Sequence, residues 1–141
     1  MDEILADYRG SGRFDLHIRD HKVTVDQPVG EGGADAGPTP TELFVASLAG
    51  CVGYYASRYL QRHLLATAGL AVTASYEMST DRPHRVASID IKVRPPASVP
   101  AERLPALMAV VSNCTVHNSI EHAPIIDIGL AEPTTPEWLT A

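Results

Sequence analysis

The chain has 141 residues, 45% of them hydrophobic, which is one domain's worth of polypeptide with enough apolar material for a sizeable core. Its 17 acidic residues outnumber 11 basic ones, and the basic residues form no run, so nucleic acid is not an expected partner for a chain of net charge -6. The longest apolar stretch, residues 43 to 56, is interrupted by Ser47, Gly50 and Gly53 and falls short of the roughly 18 to 20 residues that a membrane span needs. No membrane association is expected either. Met1-Asp2-Glu3-Ile4-Leu5 carries acids where a secretory signal carries positive charge, so a cytoplasmic location is expected, with two reduced cysteines.

Residues 5 to 27 alternate apolar and polar positions around polar turns, most clearly in Lys22-Val23-Thr24-Val25-Asp26, and predict a short antiparallel meander. Residues 28 to 40 collect Gly, Asp and Pro and read as a loop. Within it Gly30-Glu31-Gly32-Gly33 lacks the Gly-Lys-Ser/Thr of a phosphate loop and reads as a flexible connection. Thr39 is a cap candidate ahead of Pro40, and the absence of further proline predicts a helix from Thr41 to about Ala66. Such a helix spans about 39 Å, longer than a domain of this size is wide. It needs a second surface, and a homodimer whose helices pack together is expected.

Residues 70 to 80 and 86 to 94 alternate as a second hairpin with one wet face, joined by the Asp81-Arg82-Pro83-His84 turn. Ala101 to Asn113 is a helix candidate with Leu104, Leu107, Met108 and Val111 on one side, and a further helix is expected to start at Thr115. Pro124 to Leu130 reads as a last strand and Glu132 to Ala141 as an extended tail. This order predicts an α+β fold, helices covering one face of antiparallel sheets.

Cys51 and Cys114 stand 63 positions apart with no CxxC motif. Free cysteine is often just a small core residue. Here, however, Ala46, Ser47, Ala49, Gly50 and Gly53 leave room around Cys51, and Cys114 precedes a helix start whose amides favour a thiolate. Two thiols so placed suit an attacking and a resolving role. Zinc is a weaker reading of Cys114, His117, His122 and Cys51, because paired C-x-x-C spacing is absent, and no metal is expected. His17, His21 and His84 read as surface residues, and His63 as facing the helix C-terminal dipole. Tyr54, Tyr55 and Tyr59 read either as core or as a hydrophobic entrance beside Cys51.

The segment Gly37-Pro38-Thr39-Pro40-Thr41-Glu42-Leu43-Phe44-Val45-Ala46-Ser47-Leu48-Ala49-Gly50-Cys51, followed by Cys114-Thr115-Val116-His117-Asn118, resembles the OsmC/Ohr family of stress-induced thiol peroxidases. The resemblance covers nearly the whole chain and implies one OsmC-like domain over residues 1–141. It also implies a swapped α+β homodimer with a central helix from each subunit at the interface. The implied activity is cofactor-free reduction of a small organic hydroperoxide, with Cys51 as the reactive thiol, Cys114 as the resolving one and a dithiol as reductant. A thiol near pKa 8.5 is only a few per cent ionised at neutral pH, so a cation must stand close. The family takes it from an arginine of the first hairpin, which matches Arg13, with Arg9 as rival. The family's peroxidases carry a glutamate ten residues before the reactive cysteine. That position is Thr41 here and the acid is Glu42, about 100° further round a helix. The alternative function is a non-catalytic OsmC-like module that binds a small hydrophobic ligand or thiol at the dimer interface.

Overall fold

The computed structural model describes residues 1–140 of the chain. The expected meander is present as β1 (Ile4–Gly10), β2 (Arg13–Ile18) and β3 (His21–Val25), an antiparallel sheet in that order. Its register places Phe14 between Tyr8 and Val25, with the Tyr8 and Phe14 rings 5.4 Å apart. Every residue of β1 except Gly10 is exposed, including Ile4, Leu5 and Tyr8.

The loop after β3 is folded back on itself rather than being the flexible connection expected of Gly30 to Gly33. Buried Asp26 organises it, accepting hydrogen bonds from the amides of Gln27 (2.8 Å), Ala34 (3.2 Å) and Ala36 (2.9 Å). Glycine is required at two of its turns by close approach. A Cβ on Gly33 would lie 2.0 Å from the Gln27 carbonyl oxygen, and one on Gly37 would lie 2.2 Å from that of Thr24.

Helix α1 (Pro40–Arg62) has 23 residues, about 35 Å at 1.5 Å per residue. Thr39 caps it as expected, within a full capping box: its hydroxyl accepts from the Glu42 amide at 3.1 Å and the Glu42 carboxylate accepts from the Thr39 amide at 2.9 Å. The helix stops four residues before the expected Ala66. Leu64 turns into the left-handed region at φ 55°, and the Leu64 and Leu65 amides return to the carbonyls of Gln61 (3.1 Å) and Leu60 (2.9 Å). That is a Schellman stop, with Leu65 packed on the core beside buried Leu60.

The second hairpin pairs β4 (Ala71–Met78) with β5 (Val86–Arg94), a two-stranded antiparallel sheet. Ile89, Ile91 and Val93 pack on the core while Ser88, Asp90 and Lys92 are exposed, the alternation expected of one wet face. Residues 101 to 103 form a 3₁₀ turn that runs into α2 (Leu104–Val111). Leu107 and Val111 are buried, but Met108 is exposed and Val110 packs inward instead. Each step turns a helix by about 100°, so a face centred between Leu107 and Val110 excludes Met108.

The core joins Leu48, Val52, Ala56, Tyr59 and Leu60 of α1 to Leu107, Val111 and Cys114. Leu60 and Leu107 are fully buried, and truncating either to alanine should cost about 2–5 kcal/mol. Helix α3 (Thr115–Glu121) begins where expected. The strand expected at Pro124 to Leu130 does not form. An extended segment needs a neighbour for its backbone groups, and here Ile125, Ile128 and Leu130 are 101%, 90% and 105% exposed. The expected extended tail holds to Pro136 and then gives way to one helical turn, α4 (Glu137–Thr140); Ala141 lies outside the described residues.

The chain has the α+β organisation expected, with antiparallel sheets and helices, but its surface is too large for its mass. It exposes 10853 Å² at 15.1 kDa, against about 7,100 Å² for a folded monomer of that size.

Candidate active site

Cys51 lies in the middle of α1, half-buried, one turn before Tyr54 and Tyr55. Cys114 is fully buried and is the N-cap of α3. Both sulfurs meet the first turn of that helix: the Val116 amide donates to Cys51 Sγ at 3.5 Å, and the His117 amide donates to Cys114 Sγ at 3.4 Å. Residues 63 positions apart in sequence are thus brought to adjacent amides of one turn. A further hydrogen bond, Tyr55 hydroxyl to Thr115 Oγ1 at 2.8 Å, ties α1 to the same turn. Both thiols are free.

The two thiols differ in surroundings. Burial pushes the Cys114 thiol above the usual range, the His117 amide opposes this, and a hydrogen bond with the Cys51 thiol adds to the rise. Cys114 is therefore held protonated. Cys51 has the more open position on the helix.

Arg13 and Glu42 are placed elsewhere in this chain. The elements packed on α1 are β4, β5, α2 and α3, whereas Arg13 is half-buried on β2 of the first sheet. There it lines a cavity of about 160 Å³ with Arg9, Ser11, Asp26 and Ala34. Arg9 is committed to Asp15 (3.5 Å) and Asp7 (3.7 Å), while Arg13 forms no ion pair among the described residues. Glu42 is occupied by the capping box, and Thr41 is half-buried beside it.

Asp26 is the acid that sequence reasoning missed. The Ala36 and Gln27 amides hold its carboxyl below the usual carboxylate range, burial opposes them, and the Ala34 amide and the Arg13 charge add to the lowering. The signal was an aspartate ending an alternating strand just before Gln-Pro and a Gly-rich loop, the setting in which a carboxylate collects loop amides. Among the described residues no cluster of three or more His, Cys, Asp or Glu could hold a metal. His117 has both ring nitrogens engaged, by Ser112 O at 3.1 Å and Glu121 at 3.0 Å. Among the described residues no helix is long and apolar enough to cross a membrane.

Two cysteines converge on one helix turn in an α+β chain of two antiparallel sheets and a long helix, the second sheet packed on that helix. The family model for OsmC-like protein matches residues 31–129, and the chain belongs to that family. Solved structures share the fold. A Psychrobacter arcticus 273-4 protein, provisionally named as osmotic stress induced and detoxification response, is 21% identical over 84% of this chain and 88% of its own, with a TM-score of 0.76. An OsmC-like protein from Mycoplasma pneumoniae is 16% identical over 87% and 89%, with a TM-score of 0.74. An organic hydroperoxide resistance protein from Elizabethkingia anophelis, solved with thiocyanate bound, is 19% identical over 87% and 91%, with a TM-score of 0.65. Comparison with curated proteins finds no match.

Proposed function

We propose that the chain is a single-domain, cofactor-free thiol peroxidase that reduces small organic hydroperoxides, with Cys51 as the attacking and Cys114 as the resolving thiol. The observation that carries this reading is the pair of free thiols sharing the first turn of α3, one half-open and one buried and held protonated. The Cys51 thiolate attacks the distal peroxide oxygen, the O–O bond breaks, the alkoxide leaves and takes up a proton, and Cys51 becomes a sulfenic acid. The Cys114 sulfur then attacks that sulfur, hydroxide leaves as water with the thiol proton, and a disulfide closes. A cellular dithiol reopens it by exchange and is itself oxidised.

The cation facing Cys51 is Arg13 delivered from a second copy of the chain, which also accounts for part of the excess surface. Exposed β1, exposed Phe44 near the start of α1 and the unpaired segment 124–130 offer what a second copy would cover. Asp26, rather than Glu42, is the acid placed to position Arg13. Turnover of cumene hydroperoxide with a dithiol tests the assignment. Cys51→Ala should abolish it and Arg13→Ala should slow it by at least about tenfold, the loss of a positive charge beside the attacking sulfur. Ligand binding that persists in Cys51→Ala, with no turnover in the unaltered protein, would instead support the non-catalytic module.

A further inference from the structure

One turn beyond Cys51, the C-terminal half of α1 and the facing side of α2 border an open cleft of about 350 Å³. Its walls are the rings of Tyr54, Tyr55 and Tyr59 and the Val110 side chain, and its polar groups come from Arg58, Arg62 and His63. The Arg58 guanidinium carbon lies 6.0 Å from the Tyr54 ring centre, and the His63 ring lies 4.4 Å from that of Tyr59. Arg103 Nη1 stands 3.2 Å from His63 Nδ1. A guanidinium only donates, so Nδ1 accepts and the ring proton sits on Nε2, one more donor at the cleft.

Two features are unexplained by the fold. Tyr59 is 6% exposed, and its hydroxyl is buried with no hydrogen-bond partner. An unpaired buried hydroxyl costs free energy that phenylalanine would avoid. In addition, no carboxylate lines the cleft, and Arg58, Arg62 and Arg103 form no ion pair among the described residues, in a chain of net charge -6. Donors without acceptors suit an anion. Aromatic walls suit a flat apolar body carrying that anion, not a bare hydrated ion.

We propose that this cleft binds a small aromatic carboxylate, its charge held by Arg58 and Arg62 and its ring flanked by Tyr54 and Tyr55. The site uses neither cysteine and stands or falls independently of peroxide chemistry. Calorimetric titration of the full chain with 2-naphthoate, 2-naphthamide and inorganic phosphate tests it. Naphthoate should saturate at one per chain, and the amide, equal in shape but uncharged, should bind at least about tenfold more weakly, with phosphate weaker again. Arg58→Ala and Arg62→Ala should each weaken naphthoate and leave the amide unchanged. Tyr59→Phe, which removes a buried hydroxyl that the cleft does not reach, should raise the melting temperature of the ligand-free protein and leave naphthoate affinity unchanged. Equal binding of acid and amide, no saturable naphthoate binding, or naphthoate affinity unmoved by both arginine variants would overturn the proposal.

Discussion

Asp26 and Cys114 are titratable groups that folding shifts in opposite senses, and each shift traces to the bonds that place it. Backbone amides gather around Asp26 and favour its charge; burial surrounds Cys114 and disfavours it. Because its folded pKa lies below the unfolded value, Asp26 binds fewer protons in the folded chain. Its stabilisation is complete above about pH 4 and is lost as pH falls through the lowered folded value. Urea unfolding of Asp26→Asn between pH 7 and pH 3 should therefore show a lower midpoint at pH 7 and a smaller fall on acidification than the unaltered protein. Parallel pH profiles would contradict the assignment. At this scale the cysteines were legible because cysteine is rare in the chain and both lie in distinctive local sequence. Asp26 was not, since its role depends on amides eight and ten residues away that only the closed loop brings near. Glu42 shows the reverse: Thr39-Pro40-Thr41-Glu42 is a capping-box pattern legible from local sequence alone.

Both ends of α1 are defined by hydrogen bonds, but only the beginning is written in residue types that advertise it. Thr39, Pro40 and Glu42 mark the start. At the end, the left-handed position falls on Leu64, a residue that gives no stop signal, and the absence of proline extends the expected helix to Ala66. The tertiary pull is Leu65 joining Leu60 in the core, which turns the chain whatever occupies position 64. Leu64 is 95% exposed and contributes little packing, so Leu64→Gly should raise stability by about 0.5–1 kcal/mol, the relief of left-handed strain less the added chain entropy. Thermal unfolding checks this, and a destabilised Leu64→Gly would show that the strain lies elsewhere. The segment 124–130 failed for another reason. Its alternation is genuine, but a strand is a property of two segments, and one chain supplies only one of them.

For the whole molecule, the excess of exposed surface over a monomer of equal mass is about 3,700 Å² per chain, or about 7,500 Å² for two copies, so the roughly 2,000–5,000 Å² that an obligate dimer buries in total would cover part of it. The helix length already pointed this way. Sedimentation at micromolar concentration should give a dimer with no stable folded monomer, and Ile126→Asp with Ile128→Asp in the unpaired segment should weaken it. A compact monomer would remove the source of the second copy's Arg13. The fold was legible as an ordered set of elements and as a family resemblance. What could not be read from one sequence is which surfaces meet, because Arg13 on the first sheet and Cys51 on α1 belong to parts of the chain that do not pack on each other.

Under the proposed function Cys51 and Cys114 act as one redox pair. The most direct measurement is the intact mass and thiol count of the reduced protein after one equivalent of an organic hydroperoxide. Loss of two hydrogens and of both thiols, with a peptide map joining Cys51 to Cys114 within one chain, is the predicted result. It should be absent from Cys51→Ala, while Cys114→Ala should stop at a singly oxidised Cys51. Both thiols remaining free, or Cys114 oxidised while Cys51 is untouched, would contradict the account.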